Sequence, residues 1–564
     1  MRLTRIEIEN FKGIGSRQAM ELRPVTLLFG PNSAGKSTIL HALHYLREVL
    51  ERGNIDPDVT IAGGGINLGG FSTLVHNHER RRTLILKVTL DISDGLSGLV
   101  LPLNGGQSIG DTEFSELPIR YLLGESEQYR DSGVVQTVGL EVNICWSEFE
   151  QAPYVGRLAI ELDGESVAAI VSPPQGGRAQ LTEFNFDHPL LRRAVLPEDD
   201  PTDETENPSS ISPLKEEIWS LAREMAADRS TTDIPDDRFR IAVATELGAL
   251  PGLERELFLD IRDPVAEGTA SVERTPRVSG LLALLSELVL GPARLVRNHL
   301  SHMTYIGPLR EIPSRSYRPQ VTPDEGRWAH GLAAWDLLYN DRTGSLMEKV
   351  NRWLSGDGRL QTGYRLEWIE HKELPVPSAM HQMFERGLNE DDIGELQELY
   401  HSLATRTEIV LRDSEKGILV APSDVGVGIS QMIPVVVAAL GKRSSILAIE
   451  QPELHVHPAI QVGMGDLFIE AATSDPEISF LDTTLMIETH SEHIILRLLR
   501  RIRETTDDEL PPGVVGLTPE GLSVVYVEST ESGVRLRSLA IDPEGDFVDR
   551  WPRGFFEERA GELF

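Results

Sequence analysis

The sequence predicts an α/β protein whose core is a parallel sheet, and three observations lead to this fold class. An apolar run at 25–29 is followed by a glycine-rich loop and then by a helix-like stretch at 39–46. In the last third of the chain, short buried strands alternate with helices, a pattern typical of right-handed βαβ units. The first third is instead rich in strands of alternating polarity. We therefore expect a parallel core with an antiparallel or mixed β lobe beside it.

The glycine-rich loop, 30–38, has the spacing G-x-x-x-x-G-K-[ST] of a phosphate-binding P-loop. Its two glycines allow the backbone N–H groups and the helix N-terminus to face a phosphate closely. Lys36 places a positive charge at the β/γ-phosphates, and Ser37 offers a hydroxyl to Mg²⁺. The predicted nucleotide-binding residues are Gly30, Asn32, Ser33, Ala34, Gly35, Lys36, Ser37 and Thr38. The sequence has no N-K-x-D guanine signature, which favours adenine.

Composition limits the partners and the compartment. The 564 residues carry a formal net charge of −34, so nucleic acid would need a local basic patch to bind. No apolar run is long enough to span a bilayer, and we expect no membrane partner. The single cysteine excludes an intramolecular disulfide, and the N-terminal residues lack the apolar core of a signal peptide. These features predict a reducing cytoplasm.

A second acidic position completes the predicted nucleotide site. The apolar strand at 446–449 ends at Glu450, which can hold Mg²⁺ together with Ser37. Because 414 residues separate Lys36 from Glu450, we expect a long insertion to split the nucleotide domain. The predicted ranges are 1–175 for the first half of the nucleotide-binding head with its P-loop and β lobe, 176–400 for a mainly helical insertion with an acidic loop, 401–510 for the second half of the head, and 511–564 for a C-terminal β segment and tail.

The order of the motifs along the chain resembles that of the ABC-type ATPases of the SMC, RecF and OLD group. After the P-loop come a glycine-rich stretch at 424–432, the motif E-x-P-E-L-H-x-H-P at 450–458, and T-H-S at 489–491. The opening I-E-N-F-K at 8–12 is also typical of that group. The segment 545–558, with W-P-R-G-F-F-E, resembles the C-terminal signature of a bacterial branch close to the ATPase of the Septu anti-phage system.

This resemblance implies ATP and Mg²⁺ as cofactors and an ABC-type P-loop NTPase head as the fold. Ser37 and Glu450 would hold the metal, with Glu450 in the Walker B position and His490 as a switch residue near the γ-phosphate. A signature loop would contact the nucleotide held by a second subunit; its residues would be Gly426, Gly428, Ser430 and Gln431. ATP would then lie between two heads of a homodimer or higher oligomer.

The chain departs from this group at the residue after Glu450. Many ABC ATPases have a catalytic glutamate there, and this chain has Gln451. Glutamine can orient a water molecule but cannot accept its proton as a carboxylate does. Glu453 is a candidate substitute, so the catalytic set is Glu450, Gln451, Glu453 and His490. We expect slow hydrolysis and an ATP-gated clamp.

Several other patterns have a structural and a functional interpretation. His455 and His457, and the triplet His76-Asn-His78, resemble metal-binding or nuclease motifs, although a structural role is favoured for both. Basic stretches at 497–503 and at Arg310, Arg315 and Arg318 are either salt-bridged surface or nucleic-acid contacts. Trp551, Phe555 and Phe556 are interpreted as a docked core plug more readily than as a partner site.

The function expected from these observations is a cytoplasmic ATPase that dimerises around ATP and regulates a partner in bacterial anti-phage defence. The roughly sixty residues after His490 are too few for a separate nuclease domain of the usual size. If nucleic acid is cut, we expect a separately encoded effector to cut it. The alternatives left open are a RecF- or SMC-like DNA repair or maintenance ATPase and a nucleotide-locked scaffold that does not hydrolyse ATP.

Overall fold

The computed structural model describes residues 1–60, 63–93, 135–176, 178–185, 188, 241–255, 257, 276–315, 317–441, 444–473, 483–531 and 533–550. The strands in these ranges are β1 (Arg2–Glu9), β2 (Gln18–Glu21), β3 (Val25–Phe29), β4 (Val59–Thr60), β5 (Gly63–Asn67), β6 (Leu84–Asp91), β7 (Thr137–Ser147), β8 (Ala152–Leu162), β9 (Glu165–Val171), β10 (Ala179–Phe184), β11 (Ile241–Val243), β12 (Thr304–Ile306), β13 (Tyr364–Lys372), β14 (Thr405–Asp413), β15 (Leu419–Val420), β16 (Ile446–Glu450), β17 (Thr484–Glu488), β18 (Leu522–Thr530) and β19 (Gly533–Leu539).

The α-helices in the same ranges are α1 (Lys36–Arg52), α2 (Phe71–Leu74), α3 (Pro276–Ser301), α4 (Glu325–Ala329), α5 (Leu332–Asn340), α6 (Ser345–Ser355), α7 (Ala379–Arg386), α8 (Ile393–Ser402), α9 (Val427–Gly441), α10 (Pro458–Ala472) and α11 (Glu492–Thr506). Three features lie outside the described residues: the acidic loop of the predicted insertion, at 198–206; the stretch 214–225, whose apolar residues have the period of a helix; and Trp551, Phe555 and Phe556.

A six-stranded sheet, here called the head sheet, carries the P-loop. Its strand order is β12-β16-β17-β3-β18-β19, and all neighbouring pairs except the last are parallel. The P-loop strand β3 therefore lies at the centre, although its neighbours come from the last hundred residues of the described chain. The α/β fold with a parallel core, predicted from the alternation of strands and helices, is confirmed.

The two faces of the head sheet belong to two different hydrophobic cores. Along β3, Leu28 packs into one core, with α1 and the β lobe, while Leu27 and Phe29 pack into the other, with α9, α10 and α11. This division follows from the two-residue period of a strand, whose side chains point alternately to opposite faces. Since both faces are covered by helices or by the lobe, the strands are apolar at nearly every position. All five residues of β3 are buried.

An eight-stranded antiparallel sheet forms the β lobe. Its order is β11-β10-β9-β8-β7-β6-β1-β2, so β1 at the start of the chain joins strands that follow the P-loop. Every second residue of β6 is buried, so one face of the strand packs into the core and the other faces solvent, as its sequence predicts. The antiparallel lobe beside the P-loop is thus confirmed.

The range 176–400 contains strands as well as helices. Helices α3 to α8 lie in it, but β12, also in this range, pairs in parallel with β16 and forms the edge of the head sheet. β13 pairs with β14 and β15 in a separate three-stranded antiparallel sheet. The division of the chain into four units stays a prediction. In the part of the chain that the structure describes, no helix is both long and apolar enough to cross a membrane.

Candidate nucleotide site

The P-loop connects the end of β3 to the start of α1, and two glycines make its path possible. Gly30 and Gly35 have φ angles of 148° and 100°, which L-residues with side chains rarely adopt. A Cβ atom on Gly30 would lie 2.2 Å from the carbonyl oxygen of Val527, and one on Gly35 would lie 2.9 Å from Cγ2 of Val534. The loop is therefore pressed onto the hairpin β18–β19, with no room for a side chain at either glycine.

The remaining predicted phosphate-binding residues follow this path. Asn32 and Ser33 are exposed, whereas Ala34 and Thr38 are buried. Ser33 has a φ of 62°, and the N–H of Thr38 donates to the carbonyl of Gly35 at 3.0 Å. Helix α1 begins at Lys36, and no side chain caps its N-terminus. A helix N-terminus that has no side-chain cap and is preceded by glycines and small residues can bind an anion through its backbone N–H groups.

Lys36 and Ser37 both face a carboxylate that the sequence interpretation overlooked. Lys36 is only 4% exposed; its Nζ donates to the carbonyls of Gly30 and Pro31, each at 3.0 Å, and lies 3.8 Å from Oε1 of Glu488. The Ser37 hydroxyl donates to Oε2 of Glu488 at 2.7 Å. Glu488 is the last residue of β17, the strand next to the P-loop strand. It joins the site because β17 pairs with β3, a pairing that no local motif reveals.

Glu450 and Glu488 occupy equivalent positions on neighbouring strands. They are register partners at the C-terminal ends of β16 and β17, and they are 7% and 6% exposed. Parallel strands bring their carboxyl ends to one edge of the sheet, which is where α/β proteins place their ligands. The site is thus lined by two buried carboxylates beside the Lys36 ammonium group.

The environment of Glu450 favours its protonated form. Burial, and secondly the charge of Glu488, raise the pKa of the Glu450 carboxyl to about 7. The hydroxyl of Tyr305 donates to Oε1 of Glu450 at 3.0 Å. Tyr305 comes from the edge strand β12, so the helical range of the sequence contributes directly to the site.

Arg310 lies beside this pair and is buried, with 3% of its surface exposed. Its Nη2 donates to the carbonyl of Glu450 at 2.6 Å and to that of Gln451 at 3.3 Å. Its Nε and Nη1 are buried without a hydrogen-bond partner among the described residues. The interpretation of Arg310 as part of a basic surface is therefore wrong. Its guanidinium group is buried and hydrogen-bonded to backbone carbonyls at and after the end of β16.

Glu453 and His490 form the next part of the site. Both oxygens of Glu453 accept hydrogen bonds at 2.7 Å, one from the Thr489 hydroxyl and one from the backbone N–H of His490. The Nε2 atom of His490 is buried and has no hydrogen-bond partner among the described residues. Burial and the charge of Lys36 hold the pKa of His490 below its ordinary value, so the imidazole is neutral at neutral pH. Glu453 therefore holds the main chain at His490, and each of its oxygens already accepts one hydrogen bond.

Gln451 has an unusual backbone conformation. Its φ angle is 43°, in the left-handed region, and its N–H donates to the carbonyl of Glu488 at 2.7 Å. This bond ties the turn after β16 to the end of β17. The two acidic strand ends are consequently held together by the main chain as well as by their shared register.

The predicted signature residues lie at the start of α9. The hydroxyl of Ser430 is turned inward and donates to the carbonyl of Pro422 at 2.6 Å. Gln431 Nε2 donates to the carbonyl of Arg310 at 3.3 Å. Gly428 lies against the loop after β16, since a Cβ on it would meet the His455 carbonyl oxygen at 2.1 Å, whereas Gly426 borders open space. Only Gly428 and Gln431 thus contact residues around the nucleotide site.

A lysine from the opening motif is a second residue that the sequence interpretation did not assign to the site. Lys12 Nζ lies 2.6 Å from Nδ1 of His41 on α1. Burial lowers the pKa of Lys12 to about 8, while the Glu450 carboxylate opposes that shift. The motif I-E-N-F-K therefore places a half-buried amine beside helix α1, which follows the P-loop.

The histidine motifs are used structurally. His457 caps α10 by accepting from the N–H of Ala459 at 3.2 Å. Nδ1 of His76 and of His78 lie 2.8 Å and 2.9 Å from the backbone carbonyls of Lys12 and Ser72. Across the described part of the chain, no group of three or more histidine, cysteine or acidic side chains is arranged to hold a metal ion.

The arginines of α11, and Arg315 in the loop after β12, are paired with carboxylates. Arg497 and Arg501 both bind Asp466 on α10, the latter with two bonds at 2.7 Å and 3.0 Å. Arg500 donates to Glu504 at 2.6 Å, and Arg315 donates to Asp424 at 2.5 Å. This arrangement agrees with the salt-bridged interpretation for the stretch in α11 and for Arg315.

The comparison with known protein families concerns the head. A family model described as an AAA ATPase domain matches residues 1–75 and 383–495, about a third of the chain. The chain is similar to that domain over these two segments. They contain the P-loop on one side and Glu450, Glu488 and His490 on the other. The matched segments are far apart in the sequence and are brought together by the head sheet, whose fold is that of an ABC-type P-loop NTPase.

Solved SMC head domains are distantly similar to the chain. The SMC head from Thermotoga maritima is 8% identical, with 96% of this chain and 100% of that chain covered and a TM-score of 0.35. An Smc head from Pyrococcus furiosus, bound to the C-terminal domain of ScpA, is 9% identical, with 100% and 98% covered and the same TM-score. At this level of similarity, the binding partners of SMC heads are not assigned to this chain. No curated protein matches the chain.

Proposed function

We propose that this protein is a cytoplasmic, ABC/OLD-like ATPase that binds Mg·ATP, hydrolyses it slowly, dimerises around it and regulates a separately encoded effector. The observation that carries the proposal is the convergence of Lys36, Ser37, Glu450 and His490 at one edge of the head sheet. The role in anti-phage defence rests on the resemblance of segment 545–558, of which residues 551–558 lie outside the described part of the chain.

The residues present fit a magnesium nucleotide. Ser37 offers a hydroxyl and the strand ends offer carboxylates, which are the oxygen ligands that Mg²⁺ prefers. His490 Nε2 and two guanidinium nitrogens of Arg310 are buried without hydrogen-bond partners among the described residues, a costly arrangement that polar ligand atoms would relieve. When bound, Mg²⁺ would neutralise negative charge on the β- and γ-phosphates.

The chain's own residues have separate tasks in this proposal. Lys36 binds phosphate with a buried ammonium group, and Ser37 is oriented for the metal by its hydrogen bond to Glu488. His490 is held in place by the bond from its N–H to Glu453 and presents a neutral imidazole. Gln451 orients a water molecule through its amide but provides no carboxylate to take the proton. We therefore expect slow turnover, since the residue after Glu450 cannot take the proton.

The first experiment measures mass and ATP turnover of the purified chain, with and without Mg·ATP, for wild type and Lys36→Ala. We expect a mass increase with ATP, together with slow turnover, in wild type only. A matched control is Lys349→Ala, which removes a lysine from α6, outside the site. This control should behave as wild type in both measurements.

Two outcomes would contradict the proposal. Equal turnover in wild type and Lys36→Ala would show that the P-loop is not the ATPase site. Turnover at the rate of a fast ATPase would contradict the ATP-gated clamp, because it would show that Gln451 does not limit the reaction.

A nucleotide-locked scaffold is the second candidate, and a specific observation favours it. Gln451 replaces the expected carboxylate, and both oxygens of the nearby Glu453 are bonded to residues 489 and 490. If wild type binds ATP but hydrolyses it no faster than Glu450→Gln does, the protein is a nucleotide-locked scaffold. The arginine pairs of α11 do not favour a DNA clamp, because Arg497 and Arg500 already bind carboxylates.

A further inference from the structure

Glu488 makes the only side-chain contact that the described structure shows between Ser37 and a carboxylate. The Ser37 hydroxyl donates to Oε2 at 2.7 Å, and Lys36 Nζ lies 3.8 Å from Oε1. One carboxylate therefore contacts both chemically active residues of the P-loop. Its side chain is 8% exposed, so this contact is made away from bulk water.

The strand order explains why Glu488 reaches Ser37. In the head sheet β17 is next to β3, whereas β16 lies one strand further away. Neighbouring strands are spaced about 4.8 Å apart, so the end of β16 is about 10 Å from the end of β3, and the end of β17 is about half that distance. Glu450, at the end of β16, is bonded to Tyr305 at 3.0 Å, on the side of the edge strand β12.

We propose that Glu488 is the acidic partner of Ser37 on the magnesium side of the nucleotide, with Glu450 one strand further from the metal. This inference rests on the proposed function, since it names a metal-positioning residue for the same site. In P-loop NTPases the Ser/Thr hydroxyl of the loop and one acidic strand end share the metal. In this chain the strand end that meets the hydroxyl is Glu488. Glu450 occupies the Walker B position in the sequence without touching the hydroxyl in the described structure.

A second feature fixes the position of Glu488. Its carbonyl accepts the N–H of Gln451 at 2.7 Å, and the following N–H, of Thr489, donates to the carbonyl of Leu28 at 3.2 Å. The main chain of Glu488 is thus bonded to both neighbouring strand ends. A carboxylate anchored in this way keeps its place when the nucleotide binds, as a metal-positioning group requires.

The test measures the affinity of a fluorescent ATP analogue in Mg²⁺ and in excess EDTA for wild type, Glu488→Gln, Glu450→Gln and Ser37→Ala. Wild type should bind more tightly in Mg²⁺. In EDTA, Glu488→Gln and Ser37→Ala should bind the analogue with the same affinity as wild type. In Mg²⁺, their affinity should be about 10- to 100-fold lower than that of wild type, which is the usual effect of removing a partner of a metal ligand. Glu450→Gln should keep more of the gain in affinity from Mg²⁺ than Glu488→Gln.

Two additional variants separate this role from a structural one. Glu488→Asp retains a carboxylate and should recover part of the Mg²⁺-dependent gain, whereas a merely structural role would not distinguish aspartate from glutamine in this way. In the double variant Ser37→Ala/Glu488→Gln the losses should not add, because the two side chains act on one ion. Thermal unfolding of each variant without nucleotide confirms that the site is folded.

Two results would overturn the inference alone, and a third would remove the proposed function as well. An unchanged Mg²⁺ gain in Glu488→Gln together with its loss in Glu450→Gln would assign the metal side to Glu450. Tighter binding by Glu488→Gln in both Mg²⁺ and EDTA would show that Glu488 merely occupies the phosphate position. Absence of binding by wild type would remove the proposed function itself, and this inference with it.

Discussion

At the scale of single residues, the proposed function assigns to Gln451 the orientation of a water molecule. Gln451 stands at the sequence position where the resemblance to ABC ATPases implies a catalytic glutamate, and its φ of 43° is equally unusual for glutamine and glutamate. The substitution Gln451→Glu should therefore fold as wild type does while adding a general base. We expect turnover to rise by about 10² or more, measured as phosphate release under saturating Mg·ATP.

The control for this substitution is Gln451→Ala, which removes the amide without adding a base. It should lower turnover or leave it unchanged. If Gln451→Glu is no faster than wild type, the missing carboxylate does not limit hydrolysis.

Glu450 should make the stability of the nucleotide-free protein depend on pH. Its pKa is raised from 4.5 to about 7 in the folded chain, so between these values the folded chain holds a proton that the unfolded chain has released. The free energy of unfolding should therefore fall as the pH rises through this window, and this loss is complete above about pH 7. Burial is the main cause of this upward pKa shift and the charge of Glu488 adds to it, whereas Tyr305, Arg310 and Lys36 oppose it.

Urea unfolding at pH 5 and pH 7.5 measures this effect. Glu450→Gln cannot release the proton, so its free energy of unfolding relative to wild type should increase by roughly 1 to 3 kcal/mol between the two pH values. An equal pH dependence in wild type and variant would show that Glu450 is already ionised at pH 5.

The sequence predicted single site residues where a local motif contains them. The P-loop spacing predicted Lys36 and Ser37, and a strand ending in glutamate predicted Glu450. Glu488 ends its strand in the same way, T-L-M-I-E after I-L-A-I-E, and that parallel could have revealed it. Tyr305 had no such signal, because its place depends on β12 pairing with β16.

At the scale of secondary-structure elements, the start of α9 is fitted against the loop after β16. A Cβ on Gly428 would lie 2.1 Å from the His455 carbonyl oxygen, which is backbone and cannot easily move. Gly428→Ala should therefore push the helix away from this loop and lower stability by about 1 to 3 kcal/mol, as overpacking does. Thermal unfolding of the nucleotide-free protein measures the change.

Gly426→Ala is the matched control for Gly428→Ala. Nothing lies within 4 Å of a Cβ on Gly426, two residues earlier, so this substitution should leave the midpoint of unfolding nearly unchanged. Equal effects of the two substitutions would mean that the contact with the loop does not stabilise the helix.

Strands and helices near the P-loop were predictable because their polarity has a clear period. The pairing of β12 with β16 was not, since a three-residue strand inside a largely helical range resembles a loop until its neighbour is known. The order of the strands in the head sheet likewise depends on contacts across several hundred residues. Local patterns contain no information about such contacts.

At the scale of the whole molecule, the P-loop depends on a hairpin from the other end of the described chain. Val534 on β19 is buried, with its Cγ2 next to both Gly13 and Gly35. Val534→Asp would place an unpaired charge beneath the loop, at a cost on the order of 3 kcal/mol. We expect lower stability and weaker ATP binding, measured by unfolding and by nucleotide titration.

The neighbouring substitution Arg535→Asp is the control, because Arg535 is exposed on the same strand. It should leave both measurements close to wild type. Unchanged ATP binding by a folded Val534→Asp protein would show that the hairpin does not shape the P-loop.

The dependence of the P-loop on β18 and β19 has a consequence for synthesis on the ribosome. Strand β3 is made early, but the strand that flanks it on one side, β18, begins at residue 522. At ordinary translation rates the interval is roughly 25 to 100 seconds. Throughout that time the nascent loop lacks the surface formed by Val527 and Val534. The native path of the P-loop can therefore be completed only after the last strands of the head sheet have been made.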